Sequence, residues 1–141
     1  MNTKDLMIGD LVNLNFDVDY KTGKSIYAPA QVTGINKDRT IDVNFIYDKS
    51  ESMQYRWDLK LIEPIPLTKE ILYKNGFDGD VYLWINADNE KILEYYPFEH
   101  RLSLWYSEEK NQEILFKCNC FYVHEFQHAL KMCGIEKEII L

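Results

Sequence analysis

A chain of 141 residues suits one domain, or two small modules sharing a core. Apolar residues make up 46 % and aromatics 14 %, which excludes a disordered composition and supplies the apolar surface a core needs. The formal net charge of −7 disfavours nucleic acid and anionic membrane, because both repel an acidic surface. Residues 1–64 hold 8 Lys/Arg and 10 Asp/Glu, and residues 65–141 hold 8 and 13, so neither half offers a basic stripe. A protein partner or a neutral small ligand fits better. No apolar run reaches the length of a membrane span, and MNTKDLMIGD lacks the apolar centre of a secretory signal. Three cysteines, an odd number, do not suggest a disulfide scaffold. These features together predict a cytoplasmic protein.

Residues 9 to 64 read as short strands. GDLVNLNF alternates Leu11, Leu14 and Phe16 imperfectly with polar positions, and DVDYKTGKS is a loop with Gly23 at its tip. IYAPAQVTGIN follows, then a turn at Lys37, Asp38 and Arg39. TIDVNFIY sends Ile41, Val43 and Phe45 inward and Asp42 and Asn44 outward. A fourth strand is expected over Met53 to Trp57, and WDLKLIEPIP closes the unit. Short strands at this spacing predict a small curled sheet or barrel. The succession GDLV, AQVTGI, TIDV and DLKLIEPI resembles an SH3-like barrel, the plan shared by KOW and Tudor modules. In such barrels aromatics exposed between loops form a binding groove. Tyr47, Tyr55 and Trp57 are the corresponding candidates, weighed against simple filling of the barrel by Trp57 and Phe45.

Pro64 and Pro66 stiffen the exit from that unit. Thr68 is placed to cap a short helix, TKEILYKNGF, with Ile71 and Leu72 facing the core and Gly76 stopping it. From 80 to 118 the pattern predicts a four-stranded antiparallel meander. Val81, Leu83 and Ile85 alternate with Tyr82, Trp84 and Asn86, and ADNEK is a turn. A third strand near Arg101 to Tyr106 carries Leu102 and Leu104 on one side. SEEKNQ is the next turn and NQEILFKC the fourth strand. A helix from about Tyr122 to Met132 ends at Gly134, and IEKEIIL is expected as a last short strand. The fold class is thus β-rich α+β: an SH3-like barrel over 1–64, then an α+β unit over 65–141 made of a short helix, the meander and a C-terminal helix.

The motif with chemical content is HEFQH, residues 124 to 128, which fits H-E-x-x-H. In a zinc peptidase His124 and His128 would bind one metal and Glu125 would activate its water. Against this, a helical projection puts Tyr122, Val123, Phe126, Ala129, Leu130 and Cys133 on one face. His124, Gln127, His128 and Lys131 fall on the opposite, solvent face. No third ligand follows in the chain, and only His100 or a distant carboxylate remains. A second zinc reading, structural, uses Cys118, Cys120, His124 and His128, since an extended C-x-C aims both thiols one way. The plainer alternative is that Cys118 and Cys133 are small buried hydrophobes. Asp78, Asp80, Asp88 and Glu90 do not have calcium-loop spacing. The aromatic EYYPFEH, with Tyr95 and Tyr96, either edges a binding site or packs against the helix.

Three stretches carry a resemblance: IGDLV (8–12), EPIPLTKEILYKNGF (63–77) and YVHEFQHALKMCGIEKEI (122–139). They resemble a family of small proteins of phages and integrated elements of gut Bacteroidetes, whose members often read YVHQLQN or YVHELQN in this helix. Tyr122, His124, Gln127 and Leu130 match that pattern, while Glu125 and His128 fall at its variable positions and Phe126 replaces its usual leucine. The resemblance therefore weighs against a metal and supplies no mechanism, so no cofactor is expected, with zinc as the alternative. The expected role is non-enzymatic binding of another protein, with Tyr47, Tyr55, Trp57, Tyr95 and Tyr96 as contacts. Two alternatives stand beside it: a zinc hydrolase built on HEFQH, and a nucleic-acid adaptor using Lys37, Arg39 and Arg56.

Overall fold

The computed structural model describes residues 5–47, 55–88, 90–106 and 114–141, with the backbone alone of Tyr55. The beginning of the strand expected from Met53, the SEEKNQ turn and the start of NQEILFKC lie outside the described residues. The chain divides into two compact units, Met1–Ile65 and Pro66–Leu141, one residue past the expected boundary.

The first unit is a curled antiparallel sheet of five strands: β1 Leu11–Val18, β2 Ser25–Ile35, β3 Thr40–Phe45, β4 Tyr55–Asp58 and β5 Ile62–Pro64. Their order is β4-β3-β2-β1-β5, and a 3-10 turn, Leu59–Leu61, separates β4 from β5. Asp58 starts that turn by accepting the Lys60 N–H at 3.0 Å. The curl has a local cause. Register shifts at Asn15/Asp17 and at Val32/Gly34 bend β1 and β2. At the second bend a Cβ on Gly34 would stand 2.8 Å from the Asp42 carboxylate, so a larger residue there would have to displace that side chain. Val12, Leu14, Val32, Ile41 and Val43 fill the inside of the sheet, with Phe45 and Trp57 packed against them. The first bulge also accounts for one departure from the expected alternation. Phe16 is exposed, not inward, and meets Phe45 edge-on at 5.9 Å.

The second unit opens with α1, Lys69–Lys74, capped by Thr68, whose hydroxyl accepts the Ile71 N–H at 3.3 Å. A five-stranded meander follows, not a four-stranded one: β6 Asp78–Gly79, β7 Leu83–Asn86, β8 Lys91–Tyr96, β9 Arg101–Tyr106 and β10 Ile114–Asn119, in the order β10-β9-β8-β7-β6. The two-residue β6 is too short for any periodicity to announce. Helix α2, Val123–Met132, ends at Gly134 (φ 71°), where the Ile135 N–H closes on the Leu130 carbonyl at 2.9 Å.

Cross-strand register sorts the side chains of this sheet. Leu83, Leu93, Tyr95, Leu102 and Leu104 share one face and are buried. Leu72 of α1, Phe77, and Val123, Phe126, Ala129 and Leu130 of α2 are buried as well, and Phe77 meets Phe126 at 5.8 Å. Each such side chain contributes roughly 1.5–3 kcal/mol on leaving water. The tail is not a strand, contrary to expectation. Its Ile140 N–H and carbonyl are instead held by the side chain of the buried Asn75, at 2.9 and 2.8 Å. An amide side chain offers one donor and one acceptor side by side, so it substitutes for a partner strand at a single residue. No described helix is long and apolar enough to cross a membrane.

Candidate functional site

The HEFQH segment does not present both histidines to water: His124 is buried and His128 half-buried. His124 is 6 % exposed, because the first turn of α2 is buried nearly all round and only its last turn is two-sided. A helical projection treats every turn as equally wetted, and this helix begins inside the unit. The His124 ring lies parallel to Tyr122 at 5.9 Å and edge-on to His128 at 5.8 Å. His100 in turn stacks on Phe121 at 4.6 Å. Glu125 is committed elsewhere: one carboxylate oxygen accepts the N–H of Phe121 at 3.0 Å and of Tyr122 at 3.1 Å. That is a carboxylate reaching back over the start of its own helix, where two amides lack intrahelical partners. The geometry thus gives this carboxylate a structural task at the start of the helix.

The thiols of Cys118 and Cys120 do point the same way, 3.6 Å apart, and both are free. Burial pushes both pKa values up, most of all for Cys120. Among the described residues no three His, Cys, Asp or Glu side chains converge as a metal cage.

The aromatic candidates separate. Tyr47 is 76 % exposed at the end of β3. Trp57 packs on the core of the first sheet, and the side chain of Tyr55 lies outside the described residues. Tyr95 is 2 % exposed, so it is no surface contact. Its hydroxyl donates to the Cys120 carbonyl at 2.8 Å and stands 3.3 Å from Nδ1 of His100. With the one phenolic proton given to the carbonyl, that ring nitrogen is the donor to the tyrosine oxygen. Burial pushes the Tyr95 pKa up to about 12. Of the proposed basic trio, Lys37 and Arg39 are exposed in the β2–β3 turn. Arg56, in contrast, faces Asp42 across the sheet at 3.6 Å, with Asp38 also acting on it, which offsets its charge.

Tyr96 falls on the other side of the meander, and the structure gathers a group around it. Tyr82 stacks on it at 5.6 Å, the Arg101 guanidinium lies 4.5 Å over its ring, and its hydroxyl donates to Glu94 at 2.8 Å. Glu99 holds Arg101 from the turn at 2.6 Å. The register completes a grid. One row runs Asp78, Trp84, Glu94, Ser103, Lys117, and the next runs Asn86, Ile92, Trp105, Ile114. Tyr82 and Trp84 are exposed and Trp105 half-buried. Gly79 (φ 116°) makes the tight return from β6 into this group. A Cβ there would collide with the Tyr82 carbonyl. Trp84 is legible as an outward position of β7, and Tyr82 as the same-side residue just before the strand. Arg101 and Trp105 were not singled out, although they alternate with Leu102 and Leu104. No family model, curated protein or solved structure matches the chain.

Proposed function

We propose that this protein is a non-enzymatic binding module whose contact surface for another protein is the aromatic face of the second sheet. The observation that carries the reading is the Tyr82–Tyr96–Arg101 stack beside the exposed Trp84. Tyrosine, tryptophan and arginine are the side chains that dominate protein contacts, because each offers large apolar area with a polar end. Glu125 engaged at a helix start supports binding over hydrolysis. The first unit we read as an SH3-like barrel. Its strand order β4-β3-β2-β1-β5 and the 3-10 turn before the last strand support that reading, and Tyr47 is its exposed aromatic. A cytoplasmic accessory protein of a phage or mobile element agrees with the sequence resemblance.

The test is affinity capture of partners from a bacterial lysate by the wild-type chain and by a Tyr82→Ala Trp84→Ala double variant of unchanged fold. A partner held by the first and lost by the second is the expected result. Capture that ignores both substitutions would remove this face from the account.

A further inference from the structure

The row through Trp84 has a charge pattern that specifies its ligand. Trp84 is 38 % exposed, and its register neighbours are a carboxylate on each side, Asp78 on β6 and Glu94 on β8. Directly opposed residues stand about 5 Å apart, so a cation over the indole would lie within about 6 Å of both carboxylates. Among the described residues neither Asp78 nor Glu94 takes part in a salt bridge. The nearby cations are otherwise engaged: Arg101 with Glu99 and the Tyr96 ring, and Lys69 with Asp80. Lys117 lies two strands beyond Glu94, past Ser103.

The same face already seats one guanidinium, Arg101 over Tyr96. Trp84 repeats the arrangement with a better ring and two flanking carboxylates, but without a cation of its own among the described residues. A tryptophan face attracts a cation through its quadrupole, and adjacent carboxylates add Coulomb attraction. We infer that Trp84, Asp78 and Glu94 form a seat for an arginine side chain of a basic partner segment. This inference rests on the protein-binding reading and names the chemistry of the partner. The carboxylate oxygens have capacity to spare, since Asp78 also accepts the Gly79 N–H and Glu94 also accepts the Tyr96 hydroxyl.

The experiment follows the indole N–H resonances of the full chain while a Gly-Arg repeat peptide, or a Gly-Glu repeat peptide of equal length, is added. The Trp84 resonance shifts on adding the arginine peptide and not the glutamate peptide. Asp78→Asn with Glu94→Gln keeps both internal hydrogen bonds yet weakens the response about fivefold. The unchanged signals of Trp57 and Trp105 certify that the variant is folded. Equal shifts with both peptides, insensitivity to the Asn/Gln pair, or shifts only at Trp57 or Trp105 would overturn the seat. If a lysate partner still depends on Tyr82 and Trp84 while the arginine peptide leaves Trp84 unmoved, the cation seat falls and the binding face stands. If neither happens, both fall.

Discussion

The two faces of the second sheet differ in kind. The inward face is aliphatic and closed: Leu83, Leu93, Leu102 and Leu104 are buried, and Tyr95 spends its hydroxyl on a backbone carbonyl. The outward face carries two tyrosines, two tryptophans and charges of both signs, half open to water. Burial of leucine is reason enough for the first face to exist. The second is not what folding alone selects, because alternating strands need only polar side chains there. HEFQH, the segment with the strongest motif, belongs with the first kind: its glutamate starts a helix and its first histidine is packed.

Substitutions separate the two faces by stability. Phe126→Ala, which empties a fully buried site against Phe77, should cost about 3–5 kcal/mol in urea unfolding. A loss under 1 kcal/mol would mean the inward face is not the core. Asn75→Ala leaves the Ile140 amide without its partner and should cost roughly 1–3 kcal/mol, with faster hydrogen exchange confined to the tail and the end of α1.

Tyr95 adds a pH signature. It ionises near 10 when exposed and near 12 when folded, with burial as the main cause. Between those values the unfolded chain releases a proton that the folded chain keeps. Its contribution is therefore complete below pH 10 and is lost as pH rises toward 12. Tyr95→Phe should flatten that alkaline limb of the stability profile, and an unaltered limb would reassign it. Glu125→Ala should cost about 1 kcal/mol by uncapping α2, whereas Glu125→Gln, which keeps an acceptor oxygen, should cost less. The smallest effect belongs to the outward face: Trp84→Ala should change stability by no more than about 0.5 kcal/mol while abolishing partner capture.

Much of this was legible in the chain. Ile41 and Val43 point inward as their alternation predicts, Thr68 caps where a hydroxyl precedes a helical run, and Gly134 takes the left-handed turn after α2. What failed depended on distant neighbours. The burial of His124 follows from where the start of α2 sits in its unit, which no periodicity encodes. The tail looked like a strand because Ile139, Ile140 and Leu141 favour one, but its partner is the side chain of Asn75, 65 residues away. The aromatic face was half legible. Tyr96 and the outward Tyr82 and Trp84 could be read from alternation, yet the register that sets Trp84 between Asp78 and Glu94 exists only once β6 forms.

The most direct test places a photo-crosslinking benzoylphenylalanine in place of Tyr82 in one chain and in place of His128 in another, and illuminates each in a bacterial lysate. A partner adduct from position 82, absent from position 128, is the predicted result. An adduct from position 128 alone would return the function to the HEFQH helix and contradict the account.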